Sequence, residues 1–571
     1  MKVSRVLSIL AVLMLAASLA LASARPAGPR FEVRFPASVH GETITGRVFV
    51  FITKDSSREP RLQSGGKFVN FMGSPFFGVD VEGLKPDELA IIDASTLGYP
   101  PRSLRDIPSG DYYVQALVNI YTEFHRSDGY TIWAHMDQWE GQQFNISPGN
   151  LYSEVQRVHL DPAGYVARLD LTKVIPPVEV PPDTEWVKRI KIQSPILSKF
   201  WGRPIYMGAV VLLPKDYDKH PDVSYPVVYE QEHFQLEAPY RFRTTPADGT
   251  PGTKYFARQE AGYEFYKEWA ADDFPRMIMV LMLHPTPYYD DSYAVNSANN
   301  GPYGDAIMQE LIPYIESHYR IIRQPYARIL AGGSTGGWEA LALQVYHPEA
   351  FGGSWIYYPD PIDFRRWGLT DIYEEDSAFY ASRFIDKPGG LTEWHRLQRP
   401  FLRIPDGQVV VTQQEENQLE AVLGTKCRSG DQTDIWFATY GPVGPDGYPV
   451  PLWDKLTGKI DHEVAKYMRD HGYDLRYYIE TNWPVLGPKV NGKMHFYAGD
   501  MDHYYLNLGV YLLEDFLKTA KNPSFEGSFD YGRPLKGHIR PTKVGDMMRW
   551  IADEVTKNAP KRQNTAQWEY R

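Results

Sequence analysis

A glycine-rich turn between a strand-like and a helix-like segment constrains this chain most. Residues 327–343 read A-R-I-L-A-G-G-S-T-G-G-W-E-A-L-A-L, an apolar stretch before Ser334 and a helical pattern after it. Glycines on both sides of the serine permit a turn that is too sharp for larger side chains. Such a turn lifts the Ser334 hydroxyl above a sheet and directs the next backbone N–H, that of Thr335, to the same space. The pattern therefore indicates acyl transfer through a serine ester.

Length and charge limit the architecture and the partners. A chain of 571 residues predicts two domains, or one large domain with insertions. Its net charge of −11 argues against a nucleic-acid partner, whose phosphates it would repel. Aromatic residues make up 14% of the chain and suit either a carbohydrate or aryl cleft or a large core. Composition does not indicate the oligomeric state.

The first residues have the pattern of a targeting segment. Lys2 and Arg5 precede an apolar stretch over 6–21, and small residues lead up to Ala24. We expect a signal peptide over 1–24, cleaved after Ala24, and export to the periplasm or the exterior. No later apolar run is long enough to span a bilayer. The lone Cys427 excludes an intramolecular disulfide.

Changes in pattern along the chain predict the domain organisation. Residues 25–175 alternate like short strands and predict an all-β, sandwich-like domain, either a structural flank or a carbohydrate-binding accessory. A proline-rich linker follows over 176–185. From there, strands and helices alternate over 186–560, with one of the strands predicted over 473–479, which indicates an α/β domain with a mostly parallel sheet. Residues 364–472 interrupt this rhythm as a polar, aromatic insertion, either a lid over the active face or a surface excursion.

An acid and a histidine follow the serine in the order typical of α/β-hydrolases. Asp500 and Asp502 both come directly after a predicted strand, and spacing alone does not choose between them. His538 follows the last predicted strand and is the expected general base. His503 is the alternative base, although it directly adjoins the acids. No histidines have the helical spacing of a metal site, so we expect neither a metal nor an organic cofactor.

On these motifs the chain resembles a known family over residues 187–540. It is similar to the esterase-D-type esterases of the α/β-hydrolase superfamily, which include feruloyl, acetyl-xylan and siderophore esterases. The resemblance implies an α/β-hydrolase fold and hydrolysis of carboxylic esters. The matching segments are Y-P-V-V-Y (225–229), G-P-Y-G-D-A-I-M-Q-E-L-I-P-Y-I-E-S-H-Y-R (301–320), A-G-G-S-T-G-G-W-E-A-L (331–341) and G-D-M-D (499–502).

The resemblance also implies roles for individual residues. The family acid in G-x-x-D corresponds to Asp502, and the terminal Gly-His pair places the base at His538. A backbone N–H after the Y-P-V-x-Y strand completes the family's oxyanion hole, which implies Gln231 beside Thr335. The family usually has His-Gly there, whereas this chain has Glu232 and no glycine. A carboxylate at that point would disfavour a developing oxyanion.

A polar and aromatic segment after another predicted strand offers candidate substrate contacts. It is either a substrate wall or a solvated loop, and both interpretations stay open. The candidate residues are Tyr289, Asp291, Asn296 and Asn300.

Together these patterns predict an exported serine esterase that acts on a small-molecule or polysaccharide-linked ester. Two other functions fit the same residues. The same machinery would serve as an acyltransferase if water were excluded. A degenerate hydrolase domain would instead leave a non-catalytic carbohydrate-binding protein.

Overall fold

The computed structural model describes residues 28–63, 71, 73–387, 391–561 and 568. The predicted signal peptide lies outside the described residues. Two compact units divide the chain, and each consists of several segments. The first unit consists of the described residues up to Tyr121, Phe144–Pro177 and Ala421–Thr425, and the second of Thr122–Gln143, Val178–Glu420 and the described residues from Lys426 onward.

The first unit is built from strands, as its alternating sequence predicts. In the strand at 166–174, for example, Ala167, Leu169 and Leu171 are buried and their neighbours face outward. The order of strands in the sheet is β4-β1-β10-β8-β6-β2-β3-β5, and β7 and β9 each pair with β6. A sandwich arrangement stays a prediction. The strands of this sheet are β1 (Arg30–Arg34), β2 (Ile44–Thr53), β3 (Phe76–Leu84), β4 (Ala90–Asp93), β5 (Gly98–Tyr99), β6 (Gly110–His125), β7 (Thr131–His135), β8 (Leu151–Ser153), β9 (Gln156–Leu160) and β10 (Val166–Val174). Of these, β7 and the last four residues of β6 belong to the second unit.

The second unit contains an eight-stranded sheet in the order β11-β12-β14-β13-β17-β18-β23-β24. The pairs β11–β12 and β12–β14 are antiparallel, and the other pairs are parallel. The sheet is therefore mixed, with five parallel pairs and two antiparallel ones. The strands are β11 (Val187–Ser194), β12 (Ile205–Leu212), β13 (Val227–Gln231), β14 (Ile278–Leu283), β15 (Asn296–Ser297), β16 (Gly301–Pro302), β17 (Arg328–Gly333), β18 (Gly353–Tyr357), β19 (Tyr380–Lys387), β20 (Leu391–Gln398), β21 (Pro400–Arg403), β22 (Val409–Thr412), β23 (Met494–Gly499) and β24 (Ser528–Gly532).

Helices connect the parallel strands, as a parallel arrangement requires. One stretch near 303–318 contains a π-helical turn at Ile307–Leu311 between two α-helical pieces. Within the described residues, no helix is long and apolar enough to cross a membrane. The α-helices are α1 (Pro195–Trp201), α2 (Lys254–Trp269), α3 (Tyr303–Ala306), α4 (Ile312–His318), α5 (Thr335–Tyr346), α6 (Gln413–Leu423), α7 (Gln432–Tyr440), α8 (His462–Asp470), α9 (Leu475–Val490), α10 (Asn507–Thr519) and α11 (Val544–Asn558).

One predicted strand is wrong. Residues 473–479 alternate apolar and polar side chains, but they begin helix α9. The Asp474 side chain accepts a hydrogen bond from the backbone N–H of Tyr477 and caps the helix. The helix buries one stripe, spaced by three and four residues, which continues beyond the predicted strand: Leu475, Ile479, Trp483, Leu486 and Val490.

The predicted insertion contains strands β19–β22 and helices α6–α8, and a buried ion pair network lies within it. The Lys455 ammonium is 2.7 Å from the Glu420 carboxylate and also contacts Asp434. Both carboxylates are fully buried, so the lysine supplies the charge that they need. Burial lowers the Lys455 pKa, but the charges of Asp434 and Glu420 outweigh burial and raise it overall. That the insertion acts as a lid stays a prediction.

Removing this lysine tests whether the network holds the insertion together. We expect Lys455→Met to reduce the free energy of unfolding by about 3–5 kcal/mol, because it leaves buried carboxylates without their partner. Lys518→Met is the matched control, since Lys518 forms an exposed pair with Glu514 and should cost at most about 1 kcal/mol. Urea denaturation followed by circular dichroism measures both. Equal effects of the two substitutions would contradict the assignment.

Candidate active site

The turn between β17 and α5 holds Ser334 in a strained backbone conformation. Its φ of 59° and ψ of −123° are rare for a residue with a side chain and cost about 1–3 kcal/mol. Two of the surrounding positions must be glycine, because backbone carbonyl oxygens occupy the space that a Cβ would need. A Cβ at Gly336 would lie 2.0 Å from the Gln231 carbonyl oxygen, and one at Gly332 would lie 2.2 Å from the Gly336 carbonyl oxygen. The strand, turn and helix predicted around Ser334 are therefore present, with the turn packed against the end of β13.

Two backbone groups predicted to bind an oxyanion lie beside this turn. Thr335 is the first residue of α5, so its N–H has no acceptor within the helix. Gln231 is the last residue of β13 and is fully buried. Glu232 is only partly buried, and its carboxylate accepts a hydrogen bond from the His233 backbone N–H at 3.3 Å. The Glu232 side chain is thus bonded to its own loop.

The predicted acid and base form a hydrogen bond. Asp502 follows β23, His538 follows β24, and the Asp502 Oδ2 to His538 Nδ1 distance is 2.7 Å. Asp502 also accepts hydrogen bonds from the backbone N–H groups of Tyr504 and Leu506. Burial raises the Asp502 pKa, but the charge and hydrogen bond of His538, with the two backbone donors, outweigh it and lower this pKa overall. Asp502 is therefore held as a carboxylate.

Asp500, the alternative acid, fastens the loop that carries His538. Its carboxylate accepts hydrogen bonds from the backbone N–H groups of Leu535 at 3.2 Å and Lys536 at 2.8 Å. The backbone of Met501 donates to the Lys536 carbonyl at 2.8 Å and adds to this connection. The two neighbouring acids thus contact different parts of one loop, and of the two it is Asp502 that bonds the imidazole.

His503, the alternative base, lies close to His538 without taking its position. The two imidazole ring centroids are 6.5 Å apart. Burial lowers the pKa of His503, and the neighbouring His538 adds to this effect.

Strand β18 connects the serine to the histidine. The Ser334 backbone N–H donates to the Tyr357 carbonyl at 3.0 Å. Tyr358 directly follows β18, and the centroid of its ring lies 4.3 Å from the centroid of the His538 imidazole. Since the carboxyl ends of adjacent parallel strands meet at one sheet edge, Ser334, Asp502 and His538 lie at the same edge.

Asp360 is a site residue that the sequence analysis missed. The Ser334 hydroxyl donates to its Oδ1 at 3.2 Å. Its Oδ2 accepts from the hydroxyls of Tyr293 at 2.5 Å and Thr335 at 3.0 Å, and from the Trp436 indole at 3.3 Å. Its position in the sequence could have indicated this role. Asp360 follows β18, which pairs in parallel with β17, the strand before Ser334, so both residues lie at the same edge of the sheet.

The predicted substrate wall is mostly buried, which excludes a solvated loop over residues 288–295. The Tyr289 hydroxyl donates to the Gln432 side chain, whose amide donates to Asp360 at 3.1 Å. Tyr289 is thereby linked to the serine. Asn300 is buried and donates to the Thr439 hydroxyl, and exposed Asn296 accepts from the backbone of Asp305. The structure therefore gives these two asparagines hydrogen bonds within the fold.

Two groups of buried side chains near the turn have the ligand types that a metal ion needs. Each contains one histidine, and both contain Asp291. The groups are His233 with Asp290 and Asp291, and His284 with Asp291 and Glu339.

A family model described as "Putative esterase" matches residues 204–356, the segment from β12 to β18 that contains Ser334. No curated protein matches the chain. Solved structures that it is similar to include a ferulic acid esterase (16% identity, TM-score 0.32, 65% of this chain and 98% of that one). An S-formylglutathione hydrolase from Agrobacterium tumefaciens shares 12% identity at a TM-score of 0.33, with the same coverage of 65% and 98%.

The fluorophosphonate-binding serine hydrolase F of Staphylococcus aureus also shares 12% identity, at a TM-score of 0.31 and coverage of 65% and 98%. The family match confirms the resemblance drawn from the sequence over residues 204–356, which are similar to an esterase family.

Proposed function

We propose that this protein hydrolyses carboxylic esters through an acyl-enzyme on Ser334, with His538 as general base and Asp502 as its partner. The observation that carries this proposal is the 2.7 Å hydrogen bond between Asp502 and His538, at the sheet edge where Ser334 lies on its strained turn. The leader-like residues 1–24 support action outside the cytoplasm.

The first step forms the acyl-enzyme. His538 donates its Nδ1–H to Asp502, which leaves Nε2 as the acceptor for the serine proton. The Ser334 Oγ attacks the ester carbonyl carbon, and the backbone N–H groups of Thr335 and Gln231 stabilise the oxyanion. The C–O bond to the alcohol then breaks as the imidazolium returns its proton to the leaving oxygen. The products are the free alcohol and Ser334 esterified by the acyl group.

The second step releases the acid. His538 Nε2 takes a proton from a water molecule, whose oxygen attacks the acyl carbon. The tetrahedral intermediate collapses, the bond to Ser334 Oγ breaks, and the serine regains a proton from the imidazolium. Asp502 stays ionised throughout and stabilises the positive imidazolium in both steps.

In the resting site the Ser334 hydroxyl donates its hydrogen bond to Asp360, and among the described residues it has none to His538. The distance to Asp360 Oδ1 is 3.2 Å, so attack requires the hydroxyl to turn from Asp360 to His538. The donors from Tyr293, Thr335 and Trp436 all bond its Oδ2 and hold the carboxylate in place without the serine. Breaking the bond to Ser334 therefore removes the donor of Oδ1 but leaves Oδ2 hydrogen-bonded.

Aromatic side chains around the site favour an aryl-linked or carbohydrate-linked ester. The rings of Tyr358 and Tyr504 flank His538, with centroids 4.3 and 5.1 Å from that of the imidazole. Tyr293 and Trp436 lie on the side of Asp360 but are buried. The half-buried rings of Tyr358 and Tyr504 are therefore the ones that can stack on an aromatic ring or on the apolar face of a sugar.

Hydrolysis of p-nitrophenyl acetate and methyl ferulate tests the serine mechanism. We expect Ser334→Ala and His538→Ala each to lower kcat by at least about 10³-fold, because each removes a member of a cooperating set. Exposed Ser317 provides a matched control, and Ser317→Ala should retain full activity. Activity that persists in Ser334→Ala would exclude the assignment. A folded wild type without activity would favour a binding protein, and acyl transfer to an added alcohol in preference to water would favour an acyltransferase.

The two neighbouring acids should differ in their kinetic effect. Asp502→Asn removes the carboxylate that sets the imidazole tautomer, so we expect kcat to fall about 10⁴-fold with little change in KM. Asp500→Asn keeps an acceptor oxygen for one of the two loop N–H groups, so it should lower kcat less than about tenfold. Steady-state kinetics on one ester measure both. A larger loss in Asp500→Asn than in Asp502→Asn would reverse their roles.

A further inference from the structure

The two carboxylate oxygens of Asp360 have unequal sets of partners. Oδ1 faces the nucleophile, and among the described residues its donor is the Ser334 hydroxyl, at 3.2 Å. Asp360 is only 2% exposed, so bulk water has little access to this oxygen. The other oxygen, Oδ2, accepts four hydrogen bonds, and its donors are Tyr293, Thr335, Trp436 and Gln432. The hydrogen bonding of Oδ1 therefore depends on Ser334 alone.

Hydrogen bonds at its backbone and at Oδ2 fix the position of this carboxylate. The Asp360 backbone N–H donates to the Ser334 carbonyl at 3.1 Å. Helix α7 of the insertion supplies two of the Oδ2 donors, Trp436 and Gln432. A third donor, Tyr293, is itself buried. Oδ1 is therefore held beside the serine oxygen and cannot turn away when its own donor leaves.

The proposed reaction removes the donor of Oδ1. Ser334 gives its proton to His538, and its oxygen becomes the ester oxygen of the acyl-enzyme, which carries no hydrogen. A buried carboxylate oxygen that loses its donor is unfavourable unless another donor takes the place of the first. As long as the acyl-enzyme lasts, that donor has to come from the bound substrate or from a trapped water molecule.

The proposed mechanism places the acyl group of the substrate on the Asp360 side of the serine oxygen. The alcohol has to lie beside His538, because the imidazole returns a proton to the leaving oxygen. The carbonyl oxygen has to lie at the N–H groups of Thr335 and Gln231. Since the Ser334 hydroxyl turns from Asp360 to His538, these two residues lie in different directions from its oxygen. The acyl group is thus the part of the substrate that borders Asp360.

We propose that Asp360 selects esters whose acyl group carries an amine or a hydroxyl on the carbon next to the carbonyl. In the acyl-enzyme this group is three bonds from the serine oxygen, and Asp360 Oδ1 lies 3.2 Å from the same oxygen, so the two come within hydrogen-bond distance. The N–H or O–H of the substrate then replaces the serine hydroxyl as the donor to Oδ1. An acyl group with only carbon at that position leaves Oδ1 unpaired and reacts more slowly. This inference rests on the proposed serine mechanism.

Three ethyl esters of nearly equal shape test this preference on the whole protein. On the carbon next to the carbonyl, ethyl glycolate carries a hydroxyl, glycine ethyl ester an amine and ethyl propionate a methyl group. A pH-stat titration measures kcat/KM for each ester, and division by the rate constant of its hydrolysis by hydroxide removes differences in intrinsic reactivity. We expect the corrected value for the glycolate or the glycine ester to exceed that for the propionate at least about tenfold. The better of these two substrates shows whether the group that pairs with Asp360 is a hydroxyl or an amine.

Asp360→Asn should remove the preference. The four donors at the Oδ2 position need an acceptor, so the amide oxygen takes that position and the amide NH₂ faces Ser334. A donor then replaces the acceptor, and we expect the ratio of the preferred ester to the propionate to fall at least about tenfold. Asp500→Asn is the matched control. It acts on the loop of His538 and should keep the wild-type ratio, because a displaced base slows all three esters alike.

Two outcomes would overturn this inference and leave the proposed function intact. One is a wild type that hydrolyses p-nitrophenyl acetate and the three esters but does not prefer the glycolate or the glycine ester. The other is a preference that Asp360→Asn retains, which would mean that another group recognises the acyl side. If Asp360→Asn does not fold, the wild-type ratio decides. A folded wild type that hydrolyses none of these esters would contradict the proposed function, and this inference with it.

Discussion

The close contact between the Gln231 carbonyl and the backbone of Gly336 determines the geometry of this site. It leaves no space for a Cβ at Gly336. The Gly336 carbonyl in turn leaves no space for a Cβ at Gly332. The chain must therefore turn sharply at Ser334 with a positive φ. The turn costs free energy that the buried strands on both sides of β17 supply. The same contact places the end of β13, and hence Gln231, beside the serine and the first N–H of α5.

A second constraint is the concentration of acids at and behind one sheet edge, where each acid is stabilised differently. Asp502 is held by an imidazole and two backbone N–H groups. Asp360 is held by neutral hydroxyl, amide and indole donors. Asp500 binds the loop that presents the histidine. Burial, the charge of Asp291 and a side-chain hydrogen bond with Asp291 raise the pKa of Glu339 well above its usual range, which favours its protonated form. The chemistry of the site therefore depends on how each carboxylate is neutralised.

The sequence predicts those features that one local pattern specifies. The turn at Ser334, the acid after one strand and the histidine after the last are of this kind. The strand predicted over 473–479 is wrong because its seven residues also fit one stripe of a helix, and the Asp474 cap favours the helix. Asp360 was not predicted because its partners, such as Tyr293 and Trp436, come from distant segments. Packing of distant segments is not visible in the spacing of one motif.

The most direct test of the central claim is the mass of the intact, folded protein after reaction with a fluorophosphonate, which reacts with activated serines. A serine mechanism predicts a single adduct, located by peptide mapping on Ser334, and no adduct in His538→Ala under the same conditions. An adduct on another residue, or none on a folded wild type, would contradict the assignment of Ser334 and His538 as nucleophile and base.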